Sequence, residues 1–550
     1  RMPMKLCILT PAVVVLVSLL APAPAFAADY SGTLRAGYVY SDEDGNRGVF
    51  QPTYNLYEGA ALSLKDFYYA FDNGLRLYAD LDNVTLNDRT ILVGATKARL
   101  FGLSVRNSQY RRTYSFTADR FTRRNATRTD GWLQALPWLK LFGGLGYVDK
   151  HGTVVKSVAA PPLGLPTYRV DYDHFFYNAG VTVGGNRRFA TLEYRGSDFS
   201  DGPSLTATDR ASRRYRLTAY GPVPGFEKLV LHGGAQRFEH SLTTRDDSLV
   251  ATTVWGGGRY SFGDGWGVRY NAVWNRARST DDLASTDNIT HAVFGDKRFG
   301  TFAGATAGYR YRYNDDIRNE RRADGFVVSG WIRPVPALTV RAGYGADMLD
   351  TRAGDPLIRE DETTRGWASV KYRHPRVTWQ AKVEHQSRDR VLDDRSLDEG
   401  GGIINVTASD TTIATEVDFV RVASDLTADL PRYGQVSASY AYYHGDYANA
   451  GGDCFAFEEH VVSGDLLTAP CRGFRVGVGG QYYRTRLDQD IESFSLRLRG
   501  VYEFLKHYAV EAVYAAHNYD DFADLGGLYD QYYTANVVQV SLVYDFGAQR

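Results

Sequence analysis

Cysteine, methionine and a dominant charge are what this chain has least of: 550 residues carry 3 Cys and 3 Met, and 63 Lys+Arg face 64 Asp+Glu. So balanced a charge points to no nucleic-acid partner. Cys7 lies in the first apolar run, which leaves Cys454 and Cys471, too few for a disulfide-stapled scaffold. Neither opens a C-x-x-C-H motif, so this polypeptide attaches no c-type haem of its own. Beyond residue 27 no stretch offers the roughly 20 consecutive apolar residues of a spanning helix, which excludes a helical membrane bundle. Disorder is excluded by 44% hydrophobic residues, 39 Tyr among them. Abundant Tyr and Gly leave two classes, a large soluble β-protein or a membrane β-barrel.

Residues 1–27 read as a secretory signal. Arg1 and Lys5 supply the positive start, Leu6 to Leu20 the apolar run, and Ala25-Phe26-Ala27 the small-residue cleavage site. A membrane anchor is the competing reading, but the run is short and ends in a Pro-Ala segment. The exported chain then starts at Ala28. Without Arg1 and Lys5 its 61 cations face 64 anions, a net charge of −3.

From Asp29 to Phe546 the informative signal has a period of two. Leu338, Val340, Ala342, Tyr344, Ala346 and Met348 alternate with Thr339, Arg341, Gly343, Gly345 and Asp347. Phe494, Leu496, Leu498, Gly500, Tyr502 and Phe504 alternate with Ser493, Ser495, Arg497, Arg499, Val501 and Glu503. Leu75, Leu77, Ala79 and Leu81 do so with Arg76, Tyr78, Asp80 and Asp82, and Trp266, Val268 and Tyr270 with Gly267, Arg269 and Asn271. Such alternation puts each set on its own sheet face. The apolar set is Tyr, Ala, Val and Leu with aromatics near the segment ends, and the other carries charges of both signs. A lipid-facing band with aromatic girdles around a wet interior is the pattern of a transmembrane barrel.

Short turns such as Leu136-Pro137-Trp138, Asp72-Asn73-Gly74, Phe262-Gly263-Asp264-Gly265 and Phe504-Leu505-Lys506-His507 alternate with polar stretches. Long loops are expected at Asn314 to Arg322, Asp350 to Glu362 and Arg388 to Thr411. The last segment alternates Val538, Val540, Leu542, Tyr544 and Phe546 with polar residues. It resembles the C-terminal strand by which the barrel-assembly machinery recognises its substrates, although Gly547 to Arg550 overhang the aromatic.

The expected fold is therefore all-β: residues 28–550 form a transmembrane up-and-down antiparallel β-barrel of about 26 strands with no plug domain, both termini periplasmic, in the outer membrane of a Gram-negative bacterium. Two readings of Gly445 to Arg472 stay open. A strand near Phe457 to Leu466 keeps the count even and parts Cys454 from Cys471. One extracellular loop closed by a Cys454–Cys471 disulfide upsets the count, and Glu458, Glu459 and Asp465 make that stretch a poor strand.

On this architecture, and on Tyr54-Asn55-Leu56-Tyr57-Glu58-Gly59, Leu64-Lys65-Asp66-Phe67, Asp72-Asn73-Gly74-Leu75-Arg76-Leu77, Gln109-Tyr110-Arg111-Arg112 and Asp119-Arg120-Phe121, the chain resembles the MtrB/PioB family of outer-membrane porins from porin–cytochrome conduits. It lacks the N-terminal C-x-x-C of some members. The resemblance implies an insulating sheath around a periplasmic multihaem c-type cytochrome, passing electrons across the outer membrane to an external acceptor or extracellular cytochrome. Haem is then expected on the partner and none on this chain, and no catalytic residues are carried over.

The alternative is a porin or channel for small solutes or export, narrowed by infolded loops. A barrel enzyme is disfavoured, since no G-x-S-x-G elbow stands at a strand–helix junction. A TonB-dependent receptor would need an N-terminal plug. The inward charges Arg76, Asp80, Arg269, Arg310, Arg312, Arg341, Asp347, Arg497, Arg499, Glu503 and Glu511 read first as a solvated lumen wall, and more sharply as partners for charges on an inserted protein. The 11 His show no metal-ligand spacing. Tyr reads as interfacial girdle, and Asp42-Glu43-Asp44-Gly45-Asn46 as an acidic surface loop before a calcium loop.

Overall fold

A computed structural model describes residues 29–45, 58–113, 121–155, 167–202, 209–242, 247–280, 285–316, 319–352, 357–393, 412–431, 434–448, 454–486, 490–521 and 532–547. The signal expectation and the Tyr54–Tyr57 and Asp119–Arg120 parts of the resemblance lie outside them. Twenty-six antiparallel strands follow one another, each paired with the next in sequence. The first, β1 (Asp29–Gly45), also pairs with the last, β26 (Tyr533–Gly547), over Ser31–Gly547 to Gly45–Tyr533. The sheet thus closes and leaves no strand edge open. With neighbours about 4.8 Å apart and strands tilted about 40°, such a wall is roughly 50 Å across.

Turn chemistry orients the barrel. At the rim where β1 begins and β26 ends, the connections are two to four residues long. Asp264 and Gly265 there have φ of +49° and +79°, the paired left-handed residues that a type I′ hairpin turn demands. The opposite rim carries the longer connections, the longest being 394–411 between Asp393 and Thr412.

Two of the three expected loops are mostly strand. β15 (Ala303–Asp316) and β16 (Glu320–Val335) leave only 317–319 between them, and β17 (Leu338–Arg352) and β18 (Leu357–His374) leave 353–356. In the third, β19 (Val377–Asp393) runs on to Asp393, and 394–411 lies outside the described residues. A bilayer needs about 9–11 residues per tilted strand, yet β18 has 18. The excess stands above the lipid, where both faces meet water and alternation disappears. Hydrogen bonding continues regardless, with Asp361 opposite Arg390 and Asp350 opposite Glu360. Asp42, Glu43 and Asp44 likewise belong to β1, pointing alternately to opposite faces instead of converging in a loop.

The exterior bears the lipid-facing band. Leu192 is 55% exposed, Leu217 49% and Leu542 50%. Phe226, Trp266 and Phe302 crowd the short-turn end, with exposures of 55–67%. On β24 (Ile491–Leu505), Phe494 and Phe504 point outward ten residues apart. That spacing gives roughly 33 Å along the strand and 25 Å along the barrel axis, the height of the apolar belt in such barrels.

Two short strands, β3 (Leu75–Asp82) and β4 (Arg89–Lys97), leave a notch that residues 83–88 fill. Val84 N–H donates to Leu62 C=O at 2.9 Å. Leu86 is buried with Val39, Ala61 and Val537 of the inner wall. Gln109 and Arg123 hold Asn87 at 3.4 and 3.1 Å. Burial, with the Asp82 carboxylate nearby, raises the Asp88 carboxyl above its usual range.

Candidate functional site

The inner wall is the site that the fold creates. Register places the polar set of each strand inward, and the expected lumen charges meet there in pairs. Asp80 takes Lys65 at 3.3 Å. Arg269 holds Asp296 with two hydrogen bonds of 3.0 Å. Asp347 is shared by Arg310 at 2.6 Å and Arg312 at 3.8 Å. Glu511 accepts from Arg499 at 2.6 Å and faces Arg35 at 3.4 Å, and Glu503 takes Arg475 at 2.7 Å. Arg76, Arg341 and Arg497 share the face, but no carboxylate among the described residues pairs with them at ion-pair distance. Arg35, Lys65, Asp296 and Arg475 complete the pairs. They lie in register with the others and were findable only once strand partners were known.

Aromatics on this wall lie flat over glycines of the neighbouring strand. Trp331 covers Gly304, Trp367 covers Gly343 and Phe294 covers Gly308. A ring over a bare glycine shields its backbone and keeps the wall low, so side chains occupy little of the lumen. Girdle placement thus holds for part of the aromatics only. A Cβ at Gly304 would stand 2.5 Å from Trp331 Nε1, so Gly304→Val is expected to cost about 1–3 kcal/mol by overpacking. Adding Trp331→Ala should recover most of that loss in urea unfolding from micelles. Simple additivity of the two changes would show that the ring is not the obstacle.

Arg259 on β12 (Asp247–Gly263), Arg298 on β14 (Ser285–Phe299), Arg333, Arg341, Lys371 and Arg373 face inward near the short-turn rim. Carboxylates follow on the next strands at the same rim: Asp425, opposite Gln380, and Asp429 on β20 (Thr412–Leu430), and Asp465 on β22 (Cys454–Cys471).

β22 also decides the cysteine question. Cys454 and Cys471 end one extended strand of 18 residues, roughly 55 Å apart at about 3.3 Å per residue, and Cys471 is a free, exposed thiol. The disulfide reading is therefore corrected: the charged stretch is a strand because Glu458 and Glu459 face Arg486 and Thr485. Among the described residues no three His, Cys, Asp or Glu side chains group as metal ligands. The C-terminal Val538, Val540, Leu542, Tyr544 and Phe546 all point outward. Phe546 packs its ring on Tyr30, Phe67 and Tyr544 with centroids 5.9–6.5 Å apart.

No family model matches the sequence, and no curated protein matches it. Among solved structures, the siderophore receptor PirA from Pseudomonas aeruginosa is 10% identical, over 96% of this chain and 81% of that one, with a TM-score of 0.47. The copper transporter OprC is 11% identical, over 95% and 82%, with 0.46. The ferric-catecholate import receptor Fiu from E. coli K12 is 9% identical, over 94% and 82%, with 0.48. Likeness of this degree carries no function across, and none of the three is a porin–cytochrome conduit. The chain is a 26-strand β-barrel of the outer-membrane kind, apolar outside and lined within by paired and unpaired charge.

Proposed function

We propose that this barrel is the outer-membrane sheath of an electron conduit, holding a periplasmic multihaem c-type cytochrome in its lumen. The observation that carries this reading is width. A closed wall of 26 strands encloses far more space than its own inner side chains occupy, and no connection between consecutive strands exceeds the 18 residues of 394–411. An unfilled bore of that size would leak ions and metabolites, so a guest protein gives it a purpose. In this arrangement the short-turn rim and both chain ends lie in the periplasm, lipid grips the apolar belt, and an extracellular cytochrome takes electrons at the other rim. The chain supplies insulation and position, and the haems belong to the guest.

Purification of tagged barrel from outer membranes of its native host tests this. A co-purifying polypeptide that stains for covalent haem, and whose removal opens a large bilayer conductance, is the expected result. Barrel that arrives without any haem-bearing polypeptide and conducts only small solutes would replace the sheath with a solute channel. The Leu86 connection, seated on the inner wall, is the feature that favours this second reading.

A further inference from the structure

Near the short-turn rim, Arg333, Arg341, Lys371, Arg373 and Lys382 line one concave recess of about 460 Å³ together with Thr339, Ser369 and Gln380. No carboxylate belongs to its lining. Lys382 is neutralised by Glu384 at 2.5 Å, whereas Arg333, Arg341, Lys371 and Arg373 have no carboxylate at ion-pair distance among the described residues. A second recess adjoins through Trp331, beside Arg333, and adds Arg259 and Arg298 beside the Arg269–Asp296 pair. Like charges on adjacent strands repel and destabilise the sheet, so an occupant that neutralises them gains binding energy. Guanidinium forks and an ammonium, set among hydroxyl and amide groups, match the several oxygens of a compact oxyanion. The recess is too small and too concave for the rounded face of a folded protein.

We infer that this recess is a binding site for small multivalent oxyanions, phosphate being the simplest class member. The inference holds whatever guest the lumen accepts.

The full-length barrel in detergent, titrated calorimetrically with inorganic tripolyphosphate at low ionic strength, tests it. Binding is expected, and it should weaken as salt rises. Arg341→Gln, Lys371→Gln and Arg373→Gln together should weaken it by about tenfold or more, with heat-modifiable gel mobility reporting that the barrel still folds. Lys371→Arg should retain binding. Arg475→Gln, five strands from Lys371 and paired with Glu503, is the control and should leave it unchanged. A folded barrel that gives no heat with tripolyphosphate, or equal weakening in the triple variant and Arg475→Gln, would overturn the assignment.

Discussion

Gly547→Val is expected to give a chain that is exported and then fails to close. Gly547 ends β26 at φ +98°, a conformation that costs little for glycine alone. Any Cβ there would run into the Tyr30 carbonyl oxygen and stand 2.7 Å from Ser31 Cα. Both obstacles are backbone, so neither can rotate away. Relief requires parting the Ser31–Gly547 end of the closing ladder, and that displaces Phe546, whose ring lies over Gly32. Strain and collision together cost on the order of 3 kcal/mol or more. The folded fraction in outer membranes, read by heat-modifiable mobility, should drop by about tenfold or more. Gly500→Ala is the matched control, since an added Cβ there meets nothing within 4 Å. Normal assembly of Gly547→Val would mean that the last strand tolerates a different closure from the one described.

Asp361→Ala should destabilise the folded barrel by about 3 kcal/mol, and Asp347→Ala by less than about 1 kcal/mol. Both carboxylates bind arginine on the same inner face, and they differ most in burial. The Asp361 side chain is 2% exposed and meets Arg388 at 3.2 Å. The Asp347 side chain is 33% exposed and meets Arg310 at 2.6 Å, where lumen water screens the attraction. Removing Asp361 strands a guanidinium beside the dry pocket that held its partner. Removing Asp347 hands two arginines to solvent. Urea unfolding in micelles measures both, and equal losses would show that burial does not set the worth of these pairs.

Legibility followed the lipid. Where one face meets hydrocarbon and the other water, residues alternate, and the segments around Leu338–Met348 and Phe494–Phe504 are strands as their pattern says. Above the belt both faces are wet, so Asp350 to Glu362 reads as loop while the backbone of 350–352 and 357–362 stays in the ladder. The same blindness made Phe457 to Leu466 look a poor strand, because Glu458 and Glu459 are answered by partners on the next strand. The inward placement of Arg310, Asp347, Arg499 and Glu511 was readable from period two, but their pairing was not. Pairing depends on register between strands, which one strand's pattern does not contain.

Sequence by itself determined the class of molecule and the side of each strand that faces lipid, because solvent on each face selects residue type locally. Tertiary structure alone decided closure of β1 on β26, the separation of the two cysteines, the rings laid over glycines and the gathering of Arg333, Arg341, Lys371 and Arg373 at one recess. Each of these is a relation between strands far apart in the chain, set by ladder hydrogen bonds and curvature, and no local pattern of residues encodes it.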